Sequence, residues 1–172
     1  MRGATSGVGI AFAKLLKGGY LGVKLFGSTR NMDKADKLRL FGYDEIILDN
    51  SGKLETDESF DKVLELIGPA TVKDSISHMS EGGIVCSTGL LGGSWYLEEF
   101  DPAYELRNSI YLTTFYSGNV SKRRIQEMFD YIDKYSIEMK PEKVFALEEI
   151  RDAHRYLEGK DSFGKVVVVN DR

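Results

Sequence analysis

Cysteine is almost missing from this sequence. Cys86 stands alone, which excludes an intramolecular disulfide and argues against a cysteine-rich metal site. Histidine is nearly as scarce, with only His78 and His154, so the raw material for zinc is poor. The acidic residues do not cluster at a ligand spacing that would suit a hard cation. No apolar run approaches the ~20 residues that span a bilayer, and the opening residues lack the pattern of a secretory signal. A net charge of −4 gives no basic footprint for nucleic acid or an anionic membrane. Repeats, low-complexity tracts and convincing linkers are missing too. What these absences leave is one ordinary globular domain of 172 residues, long enough to bury a core and expected in a reducing, cytoplasmic setting.

What is present is alternation. Val8 to Lys17 reads as a helix with Val8, Ala11, Phe12 and Leu15 on one face, stopped by Gly18-Gly19. Gly22 to Gly27 reads as a buried strand. Asn31 suits a helix N-cap, with Gly42 just past the helix end. Residues 45–49 and 62–68 are the next strands, and Pro69 opens a short helix carrying Val72, Ile76 and Met79. Residues 82–89 and 109–116 are again strand-like, and Ser121 caps a helix with Ile125, Met128, Phe129 and Ile132 on one face. Residues 142–147 form a short strand, Leu147 to Leu157 a helix, and Lys165 to Val169 a continuous apolar strand. Such runs belong to parallel strands buried on both faces. The expected fold is α/β, a Rossmann-like doubly wound parallel sheet.

The sharpest chemistry lies in Gly3-Ala4-Thr5-Ser6-Gly7-Val8-Gly9, which runs straight into a helix. A pyrophosphate needs backbone N–H groups that approach closely, and Gly7 and Gly9 would give that room at the positive end of the helix. The hydroxyls of Thr5 and Ser6 could add bonds to phosphate oxygens. A dinucleotide fold also needs a strand just before this loop, whereas the sequence opens at Met1-Arg2. The sheet is therefore expected to lack its first strand. In NAD-binding folds an acidic residue about 20 positions past the loop holds the ribose hydroxyls. Here the second strand ends Gly27-Ser28-Thr29-Arg30, without an acid at its tip. Arg30, Lys34 and the hydroxyls of Ser28 and Thr29 suit a 2′-phosphate instead, which points to NADP.

Together, GATSGVG, STRNMDKA, DKVLELIG, GGIVCSTG and the closing FALEEIRDAHRYLEGKDSFGKVVVV resemble the medium-chain dehydrogenase/reductases, in their quinone oxidoreductase-like and zinc-type alcohol dehydrogenase-like branches. The resemblance spans nearly the whole chain in order. It implies that residues 1–172 form a dinucleotide-binding domain, and that an upstream barrel-like domain, carrying substrate contacts and any zinc ligands, is absent. It also implies a pyrophosphate against Ser6, Gly7 and Val8, and a 2′-phosphate near Ser28, Arg30 and Lys34. Ile67 and Gly68 would border the adenosine, Thr88 and Gly89 the nicotinamide ribose, and Phe163 and Lys165 the cofactor from the C-terminal side. Two departures matter. The middle glycine of the family's loop falls on Ser6, and a tyrosine common after the third strand falls on Asp49, a charge that would oppose a 2′-phosphate.

The implied activity is hydride transfer between NADPH and a small carbonyl, enone or quinone, with no catalytic residue assigned to this chain and no turnover expected from it alone. A non-catalytic nucleotide-binding or subunit-interaction module is the alternative. A short-chain dehydrogenase is a lesser one, since Tyr156 with Lys160 and Tyr20 with Lys24 have that family's Tyr-x-x-x-Lys spacing. Neither pair stands where that family places it. Cys86, His78 and His154 read as packing or surface residues. Residues 109–116 suit either a homodimer-forming edge or an internal strand.

Overall fold

The computed structural model describes residues 1–170. In chain order it contains α1 (Gly7–Gly19), β1 (Phe26–Thr29), α2 (Ala35–Leu40), β2 (Glu45–Asn50), β3 (Lys53–Leu54), β4 (Phe60–Glu65), α3 (Val72–Ser77) and β5 (Met79–Ser87). There follow α4 (Pro102–Glu105), β6 (Tyr111–Thr114), α5 (Lys122–Lys134), β7 (Lys143–Ala146), α6 (Ile150–Glu158) and β8 (Val166–Val169). β1 pairs in parallel with β2, β4 with β5, and β5 with β6, while β3 folds back antiparallel on β2. This is the expected Rossmann-like, doubly wound α/β fold.

The sheet has a seam. β1–β2–β3 and β4–β5–β6 form two three-stranded ladders. Where a central strand would join them stand the opening residues. Ser28 N–H donates to the Met1 carbonyl (3.0 Å) and Ala4 N–H to that of Ser28 (3.2 Å). On the other side Arg2 N–H donates to Leu64 (2.9 Å) and Leu66 N–H to Arg2 (3.3 Å). Arg2 thus makes a parallel bridge to Glu65, and Met1–Ala4 connect the two ladders. Phe26 and Phe60, the first residues of β1 and β4, meet edge to face with ring centroids 5.2 Å apart.

Two apolar clusters hold the layers. Ala4, Ile10, Ala13, Leu25, Leu38, Tyr43 and Phe163 join α1 and α2 to the first half of the sheet. Val63, Val72, Ile76, Met79 and Val85 join α3 to the second. Several element boundaries differ from expectation for local reasons. Gly18 and Gly19 do not stop α1 but lie inside it. A Cβ at Gly18 would stand 2.5 Å from Ile137 Cδ1, so the pair serves close packing of the 131–137 segment. β1 begins at Phe26 rather than Gly22. The Val23 carbonyl is taken by Lys17 Nζ (2.7 Å) and the Leu25 N–H by Asp44 Oδ2 (2.6 Å), so two backbone groups that a ladder would use bond to side chains instead. Met79 starts β5 instead of ending α3, and Pro69 lies ahead of the helix.

The last strand is a larger departure. β8 pairs only with β7, in a separate two-stranded parallel sheet, and its valines are half-buried or exposed rather than covered on both faces. This unit is fastened to the glycine loop through a Ser6–Gly164 bridge, with Gly164 N–H donating to the Thr5 carbonyl (2.8 Å). The apolar face of α5 is not buried either: Ile125, Met128 and Phe129 are all exposed.

Candidate functional site

The carboxyl ends of β1, β2, β4 and β5 and the N-terminus of α1 converge on one groove. In parallel α/β sheets such a crevice is where ligands sit. Ser6 caps α1, its Oγ accepting from Gly9 N–H (3.0 Å) and donating to the Gly3 carbonyl (2.8 Å). The first N–H groups of a helix have no intrahelical acceptor. With Gly9 N–H capped, those of Gly7 and Val8 are left for a ligand at the positive end of the helix. Gly9 is required for this packing, since a Cβ there would stand 2.5 Å from the Ala4 carbonyl oxygen. Tyr43, buried beneath, donates from its hydroxyl to the Gly9 carbonyl (2.9 Å), and burial pushes its phenol above the usual tyrosine value.

The groove has two connected parts. One, of about 550 Å³, is lined by Thr5, Ser6, Gly7, Ser28, Thr29, Arg30, Asp49, Ile67 and Phe163, among others. The other, of about 560 Å³, is lined by Val8, Leu66, Thr88, Gly89, Leu90 and Lys165. They meet at Ser6, Gly7, Leu91, Leu157 and Gly164. A third opening of about 390 Å³ lies beside α1 between Ala11, Phe41, Met139 and Val167, and adjoins the groove at Gly7, Val8, Gly164 and Lys165.

The candidate residues therefore fall along one line. Ser6, Gly7 and Val8 lie at the middle, Ser28, Thr29, Arg30 and Ile67 at one end, and Thr88, Gly89 and Lys165 at the other. Two stand back from the groove. Gly68 is buried behind it, and Lys34 reaches its rim by donating from Nζ to the Ser162 carbonyl (2.8 Å). Phe163 touches the groove but is 3% exposed, packed 5.6 Å from the Phe41 ring and beneath Lys37 Nζ, so it is chiefly a core residue. Thr29 spends its hydroxyl on the Asn31 turn. Arg30 is exposed. Burial, opposed by Asp161 and reinforced by Arg30 and Lys37, holds the Lys34 ammonium below the usual lysine value.

Sequence reasoning missed Arg2. Its guanidinium is 1% exposed and lies behind the wall that carries Asp49, Gly52 and Thr71. Glu65, fully buried, accepts from Ile67 N–H (2.7 Å) and Ser75 Oγ (2.5 Å). The Tyr-x-x-x-Lys pairs lie elsewhere: Tyr156 packs against Phe145 and Lys143, and Tyr20 and Lys24 are exposed. Among the described residues no three His, Cys, Asp or Glu side chains come together to hold a metal. No helix among them is long and apolar enough to cross a membrane.

A sequence model described as zinc-binding dehydrogenase matches residues 41–168. No protein of curated function matches by sequence. Among solved structures, the cobalt- and zinc-bound thermostable alcohol dehydrogenase of Pyrobaculum aerophilum superimposes with a TM-score of 0.77 at 23% identity, covering 98% of this chain and 48% of its own. The quinone oxidoreductase of Coxiella burnetii gives 0.70 at 17%, covering 97% and 50%. The yhdH oxidoreductase of Salmonella enterica, solved with NADP, gives 0.74 at 18%, covering 98% and 53%. At these identities the likeness is one of fold, and the chain spans about half the length of the structures it matches. The zinc of the family description finds no ligand set in the described residues. With most of its length matched by that model, the chain belongs to the zinc-binding dehydrogenase family.

Proposed function

We propose that the chain binds NADPH along this groove and is the cofactor domain of an oxidoreductase that moves hydride between NADPH and a small carbonyl, enone or quinone. The carrying observation is the end formed by Ser28, Thr29 and Arg30, where β1 ends without an acid and Lys34 stands at the rim. Positive charge and donors there suit a 2′-phosphate. The residues fit the rest of the cofactor too. Gly7 and Val8 would hold the pyrophosphate on the N-terminus of α1, Ile67 would border the adenine side, and Thr88, Gly89 and Lys165 would border the nicotinamide ribose. Relatives of this fold solved with NADPH or NADP support the reading. So does a groove whose two parts run from the basic end, past the helix N-terminus, to Thr88.

Bound NADPH would supply the hydride, and this chain's residues would orient it and keep water from one face. No residue of this chain is assigned to polarising a substrate oxygen, and turnover by the 172 residues alone is not expected. A cytoplasmic setting goes with this reading.

Calorimetric titration of the chain with NADPH and with NADH tests it. NADPH is expected to bind more tightly, and Arg30→Ala or Lys34→Ala to weaken NADPH by about tenfold with little change for NADH, the scale of one charge-assisted hydrogen bond. A chain shown to be folded that binds neither nucleotide would refute the assignment.

A further inference from the structure

Arg2 is one of the most deeply buried side chains of the molecule and lies in the seam between the two ladders. All three of its nitrogens donate. Nε reaches Asp49 Oδ2 (3.0 Å), and Nη2 reaches the Gly52 carbonyl (2.7 Å). Nη1 reaches Asp74 Oδ2 (2.7 Å), Ser75 Oγ (3.0 Å) and the Thr71 carbonyl (3.1 Å). Nε is also 3.9 Å from Glu65 Oε2. One guanidinium therefore fastens the end of β2, the turn after it, β4 and the start of α3.

Three of these partners, Asp49, Gly52 and Thr71, line the same end of the groove as Arg30. Asp49 is the acidic residue of that lining, and an unpaired carboxylate there would repel a 2′-phosphate. It is not unpaired. One oxygen takes Arg2 Nε, and the other accepts from Gly52 N–H (2.9 Å). A planar fork held from behind the wall pairs that carboxylate without filling the groove, and offsets its charge while also facing Asp74 and Glu65.

We propose that Arg2 is a specificity-determining positioning residue: by pairing Asp49 from behind, it makes the end of the groove beside Arg30 accept a 2′-phosphorylated nucleotide. The inference rests on the NADPH reading above and adds a residue that never touches the ligand. Without Arg2 the Asp49 carboxylate faces the 2′-phosphate uncompensated, and preference for the phosphorylated nucleotide falls.

The probes are adenosine 2′,5′-bisphosphate and 5′-AMP, titrated calorimetrically into the full chain. The wild type is expected to prefer the bisphosphate. Arg2→Gln should cut that preference by about tenfold or more, as expected when a like charge is left facing an anion. Adding Asp49→Asn to Arg2→Gln should restore it to within about threefold, the repulsion being gone. A purely structural role would weaken both nucleotides alike and would not be repaired by Asp49→Asn; that result overturns the inference. If Arg2→Gln does not fold, Asp49→Asn with Arg2 intact decides. It should change the preference by less than about threefold, because the carboxylate is already paired by Arg2, and a tenfold gain overturns the proposal. A folded wild type that binds neither probe overturns the NADPH reading and this inference together. Binding whose preference ignores Arg2→Gln overturns the inference alone.

Discussion

Lys34 sits among conflicting charges. Burial disfavours its ammonium, Asp161 favours it, and Arg30 and Lys37 oppose it, with a lowered pKa as the net result. A group held this way gains from an anion, because pairing restores what the fold takes from its charged form. The sign of the pH effect follows. The ammonium binds a 2′-phosphate and the free amine does not, so NADPH affinity should fall relative to NADH as pH rises toward Lys34's lowered value, below the ordinary ~10.4. Titrations from pH 7 into the alkaline range would show the ratio declining. Lys34→Arg, which stays charged, should abolish the decline. A ratio flat in both proteins would remove Lys34 from the site. Residues of this kind could be proposed from the sequence because loop, helix and strand end lie close together in it. Arg2 was not, because its partners lie 47 to 73 residues away and nothing local marks it as a buried ion.

Elements followed the same rule. Periodicity and caps reveal α1, α2 and α5, and apolar runs reveal β2, β4 and β5, since each signal is contained in its own segment. Partners decide the rest. The four valines of β8 read as a strand buried on two faces, yet they pair only with β7. The amphipathic pattern of α5 is real, but its apolar face is exposed. The start of β1 was misplaced because Asp44, a residue of the following turn, captures the Leu25 N–H and Lys17 Nζ (2.6 and 2.5 Å). These two bonds, backbone first, lower the Asp44 pKa. Asp44→Ala should therefore loosen the lead into β1 and cost about 1–2 kcal/mol, the scale of a charge-assisted hydrogen bond discounted for partial exposure. A depressed carboxylate stabilises above its unfolded pKa of ~3.9 and loses that contribution as pH falls through its folded value. Melting curves of wild type and variant should thus differ at neutral pH and converge in acid. An equal gap at every pH would mean that Asp44 acts by packing.

At the scale of the molecule, fold class was the most legible property, because alternation of helices with apolar strands leaves few architectures open. How the sheet closes at its centre was not. There Met1–Ala4 bond to Phe26–Ser28 on one side and to Leu64–Leu66 on the other. Two ladders joined through these few bonds need not open with the rest of the fold. Their junction is a cooperative unit of its own, and amide exchange can read it. The Arg2, Ala4, Ser28 and Leu66 amides, far apart in sequence, should exchange with one shared protection, lower than that of the β4–β5 ladder. Four unrelated rates would mean the halves are held together by side chains alone. If the rates coincide, the stability of the groove is set by the breathing of this junction, because the helix proposed to receive the phosphates begins three residues beyond it.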